Sequence, residues 1–356
     1  MEVQMFKKYR IIGPDDPNYS RMKKRLLETW LKTLAGYGLM GLLVFAAFWG
    51  FGYSYSFQLG FGLLWFLVPV LSWWFSAKIA IAMTKSTPAD PQNPEHKRLI
   101  DIVDRVYARS GLKFKPPVYI SDNPLPNAFA TGPIHRKAVV AATRGLFLTG
   151  MTDAEIEAVF AHELGHVKNY DVAINSMLSV LSMIFFMIVD AGVKVLMAGI
   201  RIFNKDFGVR PELRSKPRGF FTGILEWVVM YLIFQLTGQM TKVVQMFVMR
   251  SRESAADATG SLMTGKPCDL ATALLKLVAY VEKNRPRGRD AELYRALRPV
   301  MTIDPLFDAS RAEPEPQGLW QRLVRFWRML QLTHPPVPER VQALEKMNGS
   351  ACNLQI

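Results

Sequence analysis

Residues 152–167 read TDAEIEAVFAHELGHV, and the end of that string, His162-Glu163-Leu164-Gly165-His166, governs the reading of the whole chain. Thr152 and Glu155 have the spacing of a capping box, so a helix is expected to start at Asp153 and run through Val167. On that helix His162 and His166 lie one turn apart on one face, and their imidazoles can converge on a single ion. Glu163 is rotated by about 100° from His162, which lets its carboxylate reach a water at the ion rather than the ion itself. The neighbours Val159, Phe160, Ala161, Leu164 and Gly165 are apolar or small, so the helix reads as buried. A buried His–Glu–His set without a metal carries a heavy desolvation cost, which argues against two ordinary surface histidines.

A catalytic zinc site usually takes three protein ligands and keeps one position open. The chain has five histidines, at 96, 135, 162, 166 and 334, so a carboxylate on a second helix is the more accessible third ligand. Arg252-Glu253-Ser254-Ala255-Ala256-Asp257 fits that need. Glu253 would ligate. Asp257, four residues on, would accept the remaining N–H of a ligating imidazole. The small residues Ser254, Ala255, Ala256 and Ala258 would let the two helices approach closely.

HELGH followed by ESAAD, with hydrophobic segments before and between them, resembles the HtpX-type membrane zinc peptidases and their relatives, the CAAX-prenyl proteases. Asn127–Gly132 (NAFATG) resembles that family's edge strand beside the zinc helix, and Thr333–Arg340 (THPPVPER) its C-terminal His-Pro…Arg motif. The four motifs occur in family order between residues 127 and 340. The resemblance implies one Zn2+ per chain on His162, His166 and Glu253, with Glu163 as general base. It also implies an oxyanion stabiliser, for which His334 or Arg340 could serve, and a substrate backbone laid along Asn127, Ala128, Phe129, Ala130 and Thr131. The implied activity is endopeptidase cleavage of membrane or misfolded proteins, a quality-control role, with a prenyl-protein processing protease or a non-catalytic membrane scaffold as alternatives. The extended basic N-terminus and the stretch Glu282–Gln317 depart from the shorter members of the family.

The expected fold class is mainly α with a small β-sheet (α+β), a zincin-like HExxH catalytic domain fused to transmembrane helices. No charged residue occurs from Thr33 to Ala77, room for two spans of about 20 residues, Leu34–Phe51 and Leu59–Ala80. The net charge is +14 over 356 residues. Lys7, Lys8, Arg10, Arg21, Lys23, Lys24, Arg25 and Lys32 precede the first span, and Lys78 and Lys85 border the second. That is the positive-inside pattern, and no nucleic-acid motif accompanies it, so lipid rather than nucleic acid is the expected partner of the charge. It puts both flanks of that two-span hairpin in the cytoplasm, and the resemblance then implies a bacterial cytoplasmic membrane with the catalytic domain facing the cytoplasm. A cleavable signal peptide is not expected, because the apolar run starts late and is too long for an h-region.

Two further apolar segments, Ile174–Ile200 and Phe220–Met249, carry Asp190, Lys194, Glu226, Gln235, Gln239 and Lys242. They are read as a spanning hairpin, although the loop between them holds six basic and two acidic residues, against the positive-inside rule. In the polar segments a helix is expected over Glu95–Ser110, stopped by Gly111, and short strands at Val118–Ser121, Asn127–Thr131 and Ala138–Thr143. Helices are expected again at Leu319–Leu332 and Pro338–Met347. Cys268 and Cys352 lack CxxC spacing and read as free thiols. The resulting division is a basic N-terminus (1–33), two transmembrane helices (34–86), a first catalytic part (87–172), a hydrophobic hairpin (173–250) and a second catalytic part (251–356).

Overall fold

The computed structural model describes residues 54–173, 252–284 and 334–354, with isolated positions elsewhere. The expected elements Leu34–Phe51, Ile174–Ile200, Phe220–Met249 and Leu319–Leu332 lie outside those three stretches, as does the basic N-terminus.

The chain enters as a 20-residue apolar helix, α1 (Tyr55–Trp74), which breaks at Phe75 and resumes as α2 (Ser76–Met83). The expected second span, Leu59–Ala80, is therefore two helices. Among the described residues no helix is long and apolar enough to cross a membrane.

The polar part is α+β. A four-stranded sheet has the order β1 (Thr87–Pro88), β2 (Val118–Ser121), β4 (Val139–Thr143), β3 (Ala128–Thr131). β1 pairs antiparallel with β2, β2 parallel with β4, and β3 antiparallel with β4. Three strands fall where the β-branched and alanine-rich runs put them. β1 opens the proline-rich stretch Thr87–Pro94, and a two-residue edge strand is one of the few sheet positions that tolerates a proline.

α3 (Pro94–Ser110) starts on Asn93, whose side chain accepts from the backbone N–H groups of Glu95 and His96. Its periodic residues Leu99, Ile102, Val103 and Val106 are fully buried against α4 (Asp153–Lys168). The capping box of α4 is formed: Thr152 Oγ1 accepts from Glu155 N at 3.3 Å and Glu155 Oε2 accepts from Thr152 N at 2.7 Å. α4 is buried nearly all round, the mark of a central helix. It lies between α3 and α6 (Pro267–Lys283), with residues 252–264 forming α5 beside it and α7 (Val337–Asn348) packed on α6. One core joins Ile156, Phe160 and Leu164 of α4 to Leu270, Leu274 and Leu277 of α6 and Leu344 of α7. Each such side chain contributes about 1.5–3 kcal/mol by leaving water.

The α6–α7 packing corrects the reading of the cysteines. Cys268 and Cys352, 84 residues apart, form a disulfide with a Cα–Cα distance of 5.4 Å. Cys268 sits in the first turn of α6. The chain beyond α7 is turned back onto it, with Cys352 N–H bonded to Glu345 Oε1 at 3.2 Å. No local pattern records that approach.

Candidate metal centre and catalytic site

α4 presents His162 and His166 on one face, and their Nε2 atoms are 3.1 Å apart. Glu253, on α5, places Oε2 3.6 Å from His162 Nε2 and Oε1 3.3 Å from His166 Nε2. All three side chains are buried, and within the described residues this is the group of donors able to hold a metal ion. Ligands at zinc–nitrogen and zinc–oxygen distances of 2.0–2.1 Å in a tetrahedron lie about 3.3–3.4 Å from one another. The observed edges bracket that value, so the donor set fits zinc in both chemistry and spacing.

Two close helix contacts make the convergence possible. A Cβ at Gly260 would stand 2.7 Å from the backbone nitrogen of His162, and one at Gly165 would stand 3.0 Å from the carbonyl oxygen of Ala256. α4 and α5 therefore meet backbone to backbone. Asn169, at the C-terminus of α4, adds a bond to Thr259 Oγ1 at 3.2 Å.

Behind the donors, each imidazole leans on a carboxylate. His162 Nδ1 is 2.8 Å from Asp257 Oδ1, the contact expected of Asp257. His166 Nδ1 is 3.1 Å from Asp171 Oδ2, and Asp171 is ion-paired with Arg252. Asp171 was missed in the sequence because it lies beyond the helix, five residues past His166, and carries no periodic signal. Arg252 stands in the sequence reading only as the neighbour of Glu253, with no role of its own.

Arg340, on α7, is buried and bidentate on Asp257, Nη2 to Oδ1 at 2.6 Å and Nε to Oδ2 at 3.0 Å. Its Nη1 lies 3.5 Å from Glu253 Oε2. His334, buried just before α7, places Nδ1 3.0 Å from Glu253 Oε1. Both residues thus meet Glu253, the carboxylate of the donor set. Burial alone would raise the Glu253 pKa, but His334 and His166 outweigh it and hold the carboxyl well below its ordinary value. Asp257 is likewise lowered, burial being overcome by Arg340 and His162. Glu253 is therefore an anion, ready to ligate.

Glu163 points to the sheet, where its Oε2 accepts the backbone N–H of Ala130 at 2.9 Å. β3 is the terminal strand of the sheet, so this N–H faces away from β4 and toward α4. Asn127, Ala128, Phe129 and Thr131 are buried and Ala130 is half-buried.

The model of Peptidase family M48 matches residues 93–348. The chain belongs to Peptidase family M48. It is a metallopeptidase, a hydrolase of peptide bonds. A Protease HtpX homolog of Tropheryma whipplei (strain Twist) is 33% identical over 280 residues, 78% of this chain and 81% of that protein. One from Pelotomaculum thermopropionicum is 32% identical, covering 80% and 89%. The crystal structure of S. mikatae Ste24p has a TM-score of 0.46 at 18% identity, covering 92% of this chain and 67% of that one. The M48 match takes in every donor described above, from His162 to Arg340.

Proposed function

We propose that this M48 peptidase is a membrane-bound, zinc-dependent endopeptidase that cleaves membrane or misfolded proteins close to the bilayer surface. The observation that carries the chemistry is the convergence of two imidazoles and one carboxylate at tetrahedral spacing, with a further carboxylate beside them that is not a donor. His162, His166 and Glu253 would hold the ion. Zinc there supplies a Lewis acid that polarises the scissile carbonyl and lowers the pKa of a water. Glu163 takes the proton of the attacking water and later passes it to the leaving amine. Its bond to Ala130 N–H keeps its carboxylate between the edge strand and the donors, where a substrate backbone added to β3 would arrive. Both candidates for the oxyanion, His334 and Arg340, stand beside Glu253 at the donor set.

Membrane attachment is supported by the exposure of Leu59, Leu63, Leu64 and Leu67 on α1, a patch larger than single scattered residues. Lys137 stacks on the Trp74 ring at 3.6 Å, and Trp73 Nε1 donates to Ala173 O at 3.2 Å, so the foot of α1 sits beside the chain leaving the zinc helix. The expected division into N-terminus, two hydrophobic hairpins and a catalytic domain in two parts belongs to this reading. The cytoplasmic orientation rests on the charge bias alone, whereas a Cys268–Cys352 bridge favours an oxidising compartment.

Glu163→Gln tests the assignment. Purified mutant should keep about one zinc per chain and lose proteolysis by about 10²–10⁴-fold, the usual share of a general base. Near-normal turnover in zinc-loaded mutant would remove Glu163 from the mechanism.

A further inference from the structure

The buried Asp171 and the half-buried Arg252 have no part in the scheme above, yet their placement mirrors one that does. On one side of the donor set Arg340 grips Asp257, and Asp257 meets His162 Nδ1. On the other side Arg252 grips Asp171, and Asp171 meets His166 Nδ1. We infer that Asp171 and Arg252 are positioning residues that form, with His166, a second Arg–Asp–His chain fixing the geometry and affinity of the metal centre. This rests on the reading of His162, His166 and Glu253 as the metal ligands.

Three independent features carry it. Asp171 is 1% exposed, and its two carboxylate oxygens are divided between the two partners, Oδ2 to His166 and Oδ1 to Arg252. A carboxylate so held keeps the imidazole in the tautomer and rotation that direct Nε2 to the ion. The backbone is bent to achieve this. Tyr170 has φ 62, left-handed for a non-glycine residue, and it turns the chain back beneath the helix end so that Asp171 reaches His166. Finally, Arg252 is the residue before Glu253. The ion pair therefore joins the segment after the zinc helix to the helix that brings the third ligand, so that His166 and Glu253 are held by one contact. Asp257 and Arg340 act from the opposite side, and each histidine of the pair has its own carboxylate and its own arginine.

The test uses full-length protein in detergent, with zinc affinity measured by chelator competition and coordination followed by the visible spectrum after cobalt substitution. Asp171→Ala should weaken zinc binding about 10–100-fold and alter the cobalt bands. Asp171→Asn keeps an acceptor for the imidazole and should fall between Asp171→Ala and the parent. Arg252→Ala should act in the same direction, Arg252→Lys should recover part of the loss, and the double alanine variant should be no worse than the more severe single one. Should Asp171→Ala not fold, the near-isosteric Asn variant decides alone: lowered affinity with altered bands supports the chain, unchanged affinity and bands overturn it. Loss of zinc with the cobalt bands of the remaining metal unchanged also overturns it, since a merely structural role predicts that. His162→Ala separates the two levels. If it still binds one zinc, the metal site itself is misread. If it loses zinc while the Asp171 and Arg252 variants do not, only this inference fails.

Discussion

At His166 two opposing effects meet, and their balance sets how the metal-free protein responds to pH. Burial disfavours the imidazolium, but the carboxylates of Asp171 and Glu253 outweigh it and hold the pKa well above its ordinary value of 6.5. A group raised in the folded state adds stability that is complete below its unfolded pKa and is lost as pH climbs through the raised one. Glu253 is shifted the other way. Its contribution is complete above its ordinary value of 4.5 and is lost only in acid, so it is constant in the neutral range. Metal-free protein should therefore lose thermal stability as pH climbs above about 6.5 and His166 gives up its proton. Zinc-loaded protein should not, because the ion has already replaced that proton. Unfolding midpoints with and without chelator across that range check this. A flat metal-free profile would contradict the assigned partners of His166.

At the scale of elements, the decisive contact is α4 against α5. Gly260 lies where a methyl group would stand 2.7 Å from the His162 backbone nitrogen, and no flexible side chain is there to yield. Gly260→Ala should force the helices apart, costing about 1–3 kcal/mol as overpacking does. The separation of His162 from Glu253 should widen with it, so zinc affinity should fall together with stability. Ser254→Ala, on the exposed side of the same helix, should change neither. Zinc titration and thermal unfolding of the two variants make the comparison. Gly260→Ala protein with normal zinc binding would show that the close approach is incidental.

For the whole molecule, the proposed membrane attachment makes the side that the metal centre faces a testable matter. The N-terminal lysines and arginines favour the cytoplasm, and the foot of α1 is bonded to the chain just beyond α4, so an α1 held in a bilayer would keep the site near it. Single cysteines at Lys168 and Arg285, in a background without Cys268 and Cys352, should resist an impermeant thiol reagent added to intact cells. Labelling from outside would reverse the topology and accord with a lasting Cys268–Cys352 bridge.

The sequence by itself determined the capping box of α4 and the helical faces, and it offered the candidate donors. Those features are written at short range. A capping box spans four residues, the two histidines are one turn apart, and the buried stripe of α3 repeats with the helical period, so each is settled between near neighbours. Glu253 and Asp257 were legible for the same reason, as an i,i+4 pair among small residues. The tertiary structure decided what lies far apart in the chain. Arg340 reaches Asp257 across 83 residues, Arg252 reaches Asp171 across 81, and Cys268 meets Cys352 across 84. β4 inserts between β2 and β3, which follow one another in sequence, and so leaves Ala130 N–H to hold Glu163. Partners at such separations are chosen by how the helices and the sheet pack into one core, and the chemistry of either residue alone does not specify the other.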